Sequence, residues 1–158
     1  MNRFADYFSN YVNDDTITYI GNGDITSFTV SRQDRELAVG LNLESFIDYG
    51  IIENSQNQIA RAMELKKVHI NPRFPKSEFS LDNIERILEY VRHESPAANG
   101  FFDGCEAELE DRTLTLCLKK GGKDVLESQK VDRAIANKIY ELFDLDFVVI
   151  FLEIGRAH

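Results

Sequence analysis

The chain has 158 residues, 43% of them hydrophobic and 11% aromatic, with a formal net charge of −9. That length suits one ordinary domain or two very small ones, and that apolar share suits a packed core rather than a disordered tail. No stretch approaches the roughly 18 uninterrupted apolar residues of a membrane-spanning helix.

Up to Pro75 there are 7 basic and 10 acidic residues, and from Lys76 onward 11 and 17, so both halves are acidic, at −3 and −6. Nonspecific phosphate binding draws on counterion release from a positive footprint, and this balance argues against it. The first twenty residues carry Asp6, Asp14 and Asp15 and lack an apolar h-region, so they do not read as a signal peptide. Two cysteines without a secretion signal read as reduced thiols, which points to the cytoplasm.

Phe4, Tyr7, Phe8 and Tyr11 fall at i, i+3, i+4, i+7 and predict a first helix. Asn13, Asp14 and Asp15 read as its break, and Gly21-Asn22-Gly23-Asp24 as a turn. Ile25 to Val30 predicts a strand, with Phe28 and Val30 on one face; Leu37, Val39, Leu41 and Leu43 alternate as its hairpin partner. A helical stretch follows from Ser45 to Ile52, and a second begins at Ser55 as N-cap and runs through Ile59, Ala62 and Met63. Val68-His69-Ile70 is a short strand, ended by Asn71-Pro72-Arg73-Phe74-Pro75.

The pattern then starts again. Ser80 caps a helix striped by Ile84, Ile87, Leu88 and Val91, which Ser95-Pro96 closes. Asn99 to Gly104 is a loop, Glu106 to Glu110 a strand, Asp111-Arg112 a tight turn, and Leu114, Leu116 and Leu118 the return strand. A helical region spans Asp124 to Phe143, with Val131, Ile135, Ile139 and Leu142 at helical spacing. Phe147 to Leu152 is an uninterrupted apolar run, which predicts a central strand buried on both faces.

The two passes share one order and nearly one spacing: 24 residues separate Arg35 from Ile59, and 23 separate Arg112 from Ile135. A period of roughly 77 residues points to duplication. The expected fold class is α+β, two KH-like units of order α-β-β-α-α-β in tandem, residues 1–75 and 76–158, each a small sheet packed on helices. The plainer alternative is one α+β domain around a six-stranded sheet.

That order is the topology of type II KH domains, which clamp single-stranded nucleic acid with a Gly-x-x-Gly loop between two helices. The expected junctions here, Ile52-Glu53-Asn54-Ser55 and Leu126-Glu127-Ser128-Gln129, lack the glycines and place a glutamate where phosphate would approach. Basic residues cluster at Lys119, Lys120 and Lys123 around Gly121-Gly122, and at Lys66, Lys67, Arg73 and Lys76 around the Val68 to Ile70 strand. One reading is solvated strand ends and an edge blunted by lysine; the other is a phosphate contact or a patch for an acidic partner. Phe101 and Phe102 sit adjacent in a glycine-bounded loop, as core plugs if both turn inward or as an interface anchor if one stays exposed.

Catalytic constellations are weak. His69, His93 and His158 have no Cys or His at ligand spacing, so neither a metal nor a cofactor is expected. Cys105 and Cys117 form no CxxC and read as passive thiols. Glu106, Glu108 and Glu110 alternate along one strand face, as a solvated stripe does more often than a catalytic pair. There is no Walker loop and no nucleophile elbow, and Gly21-Asn22-Gly23 is too short for a phosphate cradle.

The run Tyr19 to Ser31, its hairpin partner, and the Leu114 to Leu118 strand with the helix after it resemble the N-terminal extension of PolC-type DNA polymerase III alpha subunits, the replicases of low-G+C Gram-positive bacteria. The similarity spans about Arg3 to Glu153 and rests on a diffuse pattern of hydrophobic and polar positions without a diagnostic signature. It implies a piece of a longer DNA-directed DNA polymerase with 3′–5′ exonuclease, and a piece that is itself non-catalytic. It also implies a tethering module whose partners are replisome proteins, the clamp-loader tau subunit among them, with no membrane involved. The alternative it leaves is a KH-like module making weak single-stranded DNA contact; a freestanding enzyme of unknown reaction is the third.

Overall fold

The computed structural model describes residues 2–153. They form an α+β fold that separates into two compact units, Met1–Glu78 and Phe79–His158. Each unit holds its own three-stranded mixed sheet.

In the first unit α1 (Phe4–Phe8) and α2 (Asp14–Ile20) precede β1 (Asp24–Ser31), β2 (Glu36–Asn42), α3 (Tyr49–Ala62) and β3 (Lys67–Arg73). The Asn13 to Asp15 triplet does not break a helix, as expected from sequence, but begins one. The Asn13 side chain accepts from the Thr16 amide at 2.9 Å, and Asp14 and Asp15 occupy the first turn, where the exposed amides favour negative charge. Gln58 on α3 ties this helix down by accepting from the Asn13 amide and the Thr16 hydroxyl.

β1 and β2 pair antiparallel, and β2 and β3 pair parallel through the α3 crossover. Alternation works as read for β2: Leu37, Val39 and Leu41 point inward and are buried with Phe4, Phe8, Ile20, Ile52, Ile59, Val68 and Ile70. The crossover, however, is one helix rather than two. Ser55 is fully buried mid-helix, its hydroxyl donating to the Ile51 carbonyl at 2.7 Å. A serine bonded back to the preceding turn needs no cap function, so the expected N-cap at Ser55 and the α-α step of the first unit are both absent.

β3 also runs further than its hydrophobic triplet, through Pro72 to Arg73. Proline lacks an amide proton, yet β3 is an edge strand, where that donor is dispensable. On the same strand the Ile70 amide donates to the Gln56 side chain of α3 at 2.8 Å. After β3 a 3₁₀ turn, Lys76–Glu78, closes the unit, and the Glu78 carboxylate accepts from the Phe46 amide at 2.7 Å.

In the second unit a 3₁₀ turn (Leu81–Asn83) leads into α4 (Ile84–Arg92), followed by β4 (Glu106–Glu110), β5 (Thr113–Leu118), α5 (Lys123–Ser128), α6 (Val131–Phe143) and β6 (Val148–Glu153). Ser80 caps the turn by accepting from the Asp82 amide at 3.1 Å. The apolar stripe of α4 is buried as its spacing predicts, at Ile84, Ile87, Leu88 and Val91. β4 and β5 pair antiparallel and β5 and β6 parallel, the same strand order as in the first unit.

The helical region Asp124 to Phe143 divides into two helices, as the expected α-α step requires: Lys130, at φ +58°, separates α5 from α6. β6 is not central. It is an edge strand with Val149 and Phe151 buried and Val148, Ile150 and Leu152 on the other side, 60%, 41% and 47% exposed. Its unbroken apolar run therefore has a different cause from burial on both faces.

Inside this unit Lys138 is a buried cation, bonded to Glu94 at 2.6 Å and Glu141 at 2.8 Å. Burial alone would lower its pKa, but the hydrogen bonds it donates to Glu141 and Glu94 outweigh that and hold it above the ordinary lysine value.

Candidate interaction surfaces

Each sheet has one face against helices and one without, and the register fixes what the helix-free face carries, because directly paired residues project to the same side. In the first sheet the row on β3 is Lys67, His69, Asn71 and Arg73, all exposed. They pair with Glu36, Ala38, Gly40 and Asn42 of β2, and beyond these lie Ser31, Thr29, Ser27 and Asp24 of β1. The face is polar, with positive charge along one edge. Lys66 precedes that row and is also exposed.

In the second sheet the same positions carry different chemistry. Val148, Ile150 and Leu152 of β6 pair with Thr113, Thr115 and Cys117 of β5, which pair with Glu110, Glu108 and Glu106 of β4. Burial pushes the Cys117 thiol above its ordinary pKa, and the Glu108 and Glu106 carboxylates add to the rise. Cys105 is raised too, first by burial and then by Glu85. Both thiols are therefore protonated and weakly nucleophilic near neutral pH.

The remaining sequence candidates separate. Phe102 is buried and packs near Phe151, with ring centroids 6.1 Å apart, so it is core. Phe101 is only half-buried, its ring lying over Gly122. Gly122 sits at φ +93°, and a Cβ there would run into that ring, so the glycine serves both the backbone conformation and the aromatic contact.

The lysines around Gly121-Gly122 do not converge as a positive patch. Lys119 pairs with Glu106 at 3.5 Å and Lys120 with Asp103 at 3.3 Å, both at exposed positions. Lys123 is half-buried at the start of α5, where its backbone amide donates to the Glu153 carboxylate at 3.2 Å.

Neither expected Gly-x-x-Gly position is a loop. Ile52 to Ser55 lies within α3, and Leu126 is fully buried in α5. The bend between the two helices of the second unit falls at Gln129-Lys130, which meets the expected junction only at its last residue. Among the described residues no group of three His, Cys, Asp or Glu side chains could hold a metal ion, and no helix is long and apolar enough to cross a membrane. His158 lies outside the described residues.

Sequence reading missed the aliphatic row on β6. The available signal was that three strands with helices on one side leave the other side uncovered, so a fully apolar strand must expose half its residues. No protein-family model matches the chain, and no curated protein matches it.

Proposed function

We infer that the chain is a non-catalytic protein-interaction region, two KH-like units in tandem, acting as a tether within the cytoplasmic replication machinery of a PolC-type polymerase. The observation that carries the interaction reading is the uncovered row Val148, Ile150 and Leu152 on a sheet edge. Exposed aliphatic side chains in register on a helix-free face are the usual mark of a surface that meets another protein. Covering three side chains that are each about half exposed contributes on the order of 3 kcal/mol before the costs of association. A partner bound this way draws on further contacts. The polymerase assignment rests on the sequence resemblance alone.

The nucleic-acid reading has one observation in its favour, the Lys67, His69, Asn71 and Arg73 row on the first sheet. Against it stand the absent glycine loops, the lysines engaged by Glu106 and Asp103, and the net charge of −9. Titrating the purified chain with a labelled single-stranded oligonucleotide at 50 and 200 mM salt, and separately with the clamp-loader tau subunit, tests both. The tether reading expects tau binding that varies little with salt and no measurable oligonucleotide affinity. Oligonucleotide affinity that falls steeply with salt, without tau binding, would replace it by the KH-like single-strand reading.

A further inference from the structure

Three rows of side chains share the helix-free face of the second sheet, one from each strand. The outer rows are Glu106, Glu108 and Glu110 on β4, all exposed, and Val148, Ile150 and Leu152 on β6, also exposed. The middle row, Thr113, Thr115 and Cys117, consists of short side chains, so it forms the floor of a trough between the other two. With strands about 4.8 Å apart, the outer rows lie about 10 Å from each other, and an α-helix with its side chains is about 10–12 Å across. Along the strands the aliphatic row extends about 13 Å, roughly two and a half helical turns.

We propose that this face docks an amphipathic helix of a partner protein, with an apolar ridge over Val148, Ile150 and Leu152 and a lysine- or arginine-bearing flank over Glu108 and Glu110. The proposal deepens the tether reading and rests on it for the partner's being a protein. Charge selects the occupant's sign. Glu106 is already engaged by Lys119, which leaves Glu108 and Glu110 as the exposed carboxylates of that row to meet an occupant. The same glutamate row disfavours a phosphate backbone.

Geometry selects a helix over an added strand. A strand paired to the outer edge of β6 would stand about 14 Å from β4, beyond ion-pair distance of the glutamates, whereas a helix seated over the threonines reaches both rows.

A displayed library of 18-residue helices, with leucine fixed at i, i+3, i+4 and i+7 and the flanking positions randomised among Lys, Glu and Ser, tests this on the immobilised full chain. The expected result is enrichment of lysine on one flank. Methyl NMR should place the selected peptide on Val148, Ile150 and Leu152. Affinity should fall about tenfold in Ile150→Thr and about tenfold in the double variant Glu108→Lys, Glu110→Lys. Both variants alter exposed side chains, and an unchanged amide spectrum away from the substitutions confirms that they fold. Enrichment of neutral or acidic flanks, no enrichment at all, or a footprint elsewhere overturns the proposal. Loss of tau binding with this result intact would sink the polymerase tether and leave the helix-docking face standing.

Discussion

The two sheets share strand order and pairing, and they differ most in the outer row of the last strand. Where β3 presents Lys67, His69, Asn71 and Arg73 on the helix-free face, β6 presents Val148, Ile150 and Leu152. Inward the two strands agree, with Val68 and Ile70 buried in one and Val149 and Phe151 in the other. Packing against helices constrains one side of each strand, and the other side is at liberty to diverge. The first unit does expose large apolar groups, Phe28 and Val30 with Tyr7 nearby, but on the helix side of its opposite edge strand. The shared strand order therefore carries opposed surface chemistry on its last strand.

The sharpest way to break the comparison is to remove a core residue that only one unit possesses. Phe102→Ala deletes a buried ring beside Phe151 and should cost about 3–5 kcal/mol, read as a lowered denaturation midpoint with amide protection lost chiefly across residues 79–153. Loss spread evenly over both units would show that they do not unfold as distinct bodies. Phe101→Ala removes a half-buried ring and should cost no more than ~1 kcal/mol.

Gly122→Ala comes next. It places a Cβ against the Phe101 ring at a left-handed position, with an expected loss of about 1–3 kcal/mol. The double variant with Phe101→Ala should recover the steric part and leave the backbone part, and a double-mutant cycle measures that split.

Lys138 separates the units electrostatically. Its folded pKa lies above the unfolded value, so its contribution is fully present at neutral pH and fades as pH rises past 10.5 through the folded value. The carboxylate partners are mostly exposed, which keeps the expected effect near 1 kcal/mol. Urea midpoints of the parent and Lys138→Met should differ at pH 8, and the difference should shrink as pH rises past 10.5; a constant difference would assign the effect to packing alone.

The smallest effect concerns the outer rows themselves. Ile150→Thr and Lys67→Thr should each change stability by less than ~0.5 kcal/mol, because both side chains face solvent. Binding of an apolar dye should fall only in the former.

What the sequence shows follows the inward-facing residues. The alternation of Leu37, Val39 and Leu41, the stripe of Ile84, Ile87, Leu88 and Val91, and the repeated order of strands all depend on a hydrophobic period, and the structure places those residues in its cores. Three other features depended on local hydrogen bonds that periodicity does not encode. Asn13 starts a helix where polar residues resemble a break, Ser55 bonds backward inside one, and Lys130 turns left-handed between two. The candidate surface was illegible for a different reason. An apolar run cannot tell a strand covered on both sides from an edge strand with one side bare, and only the strand count decides. Lys119 and Lys120 were visible as charges, but their neutralising partners, Glu106 and Asp103, became apparent only when the hairpin folded.

The outer margin of β3 has a further effect through what it withholds. An incoming strand needs a regular series of amide donors, yet the Ile70 amide is already given to Gln56 and Pro72 has none to offer. At high concentration this margin makes a poor template for strand exchange between molecules. Runaway growth into ribbons is hindered on that side by an imino acid and a single carboxamide.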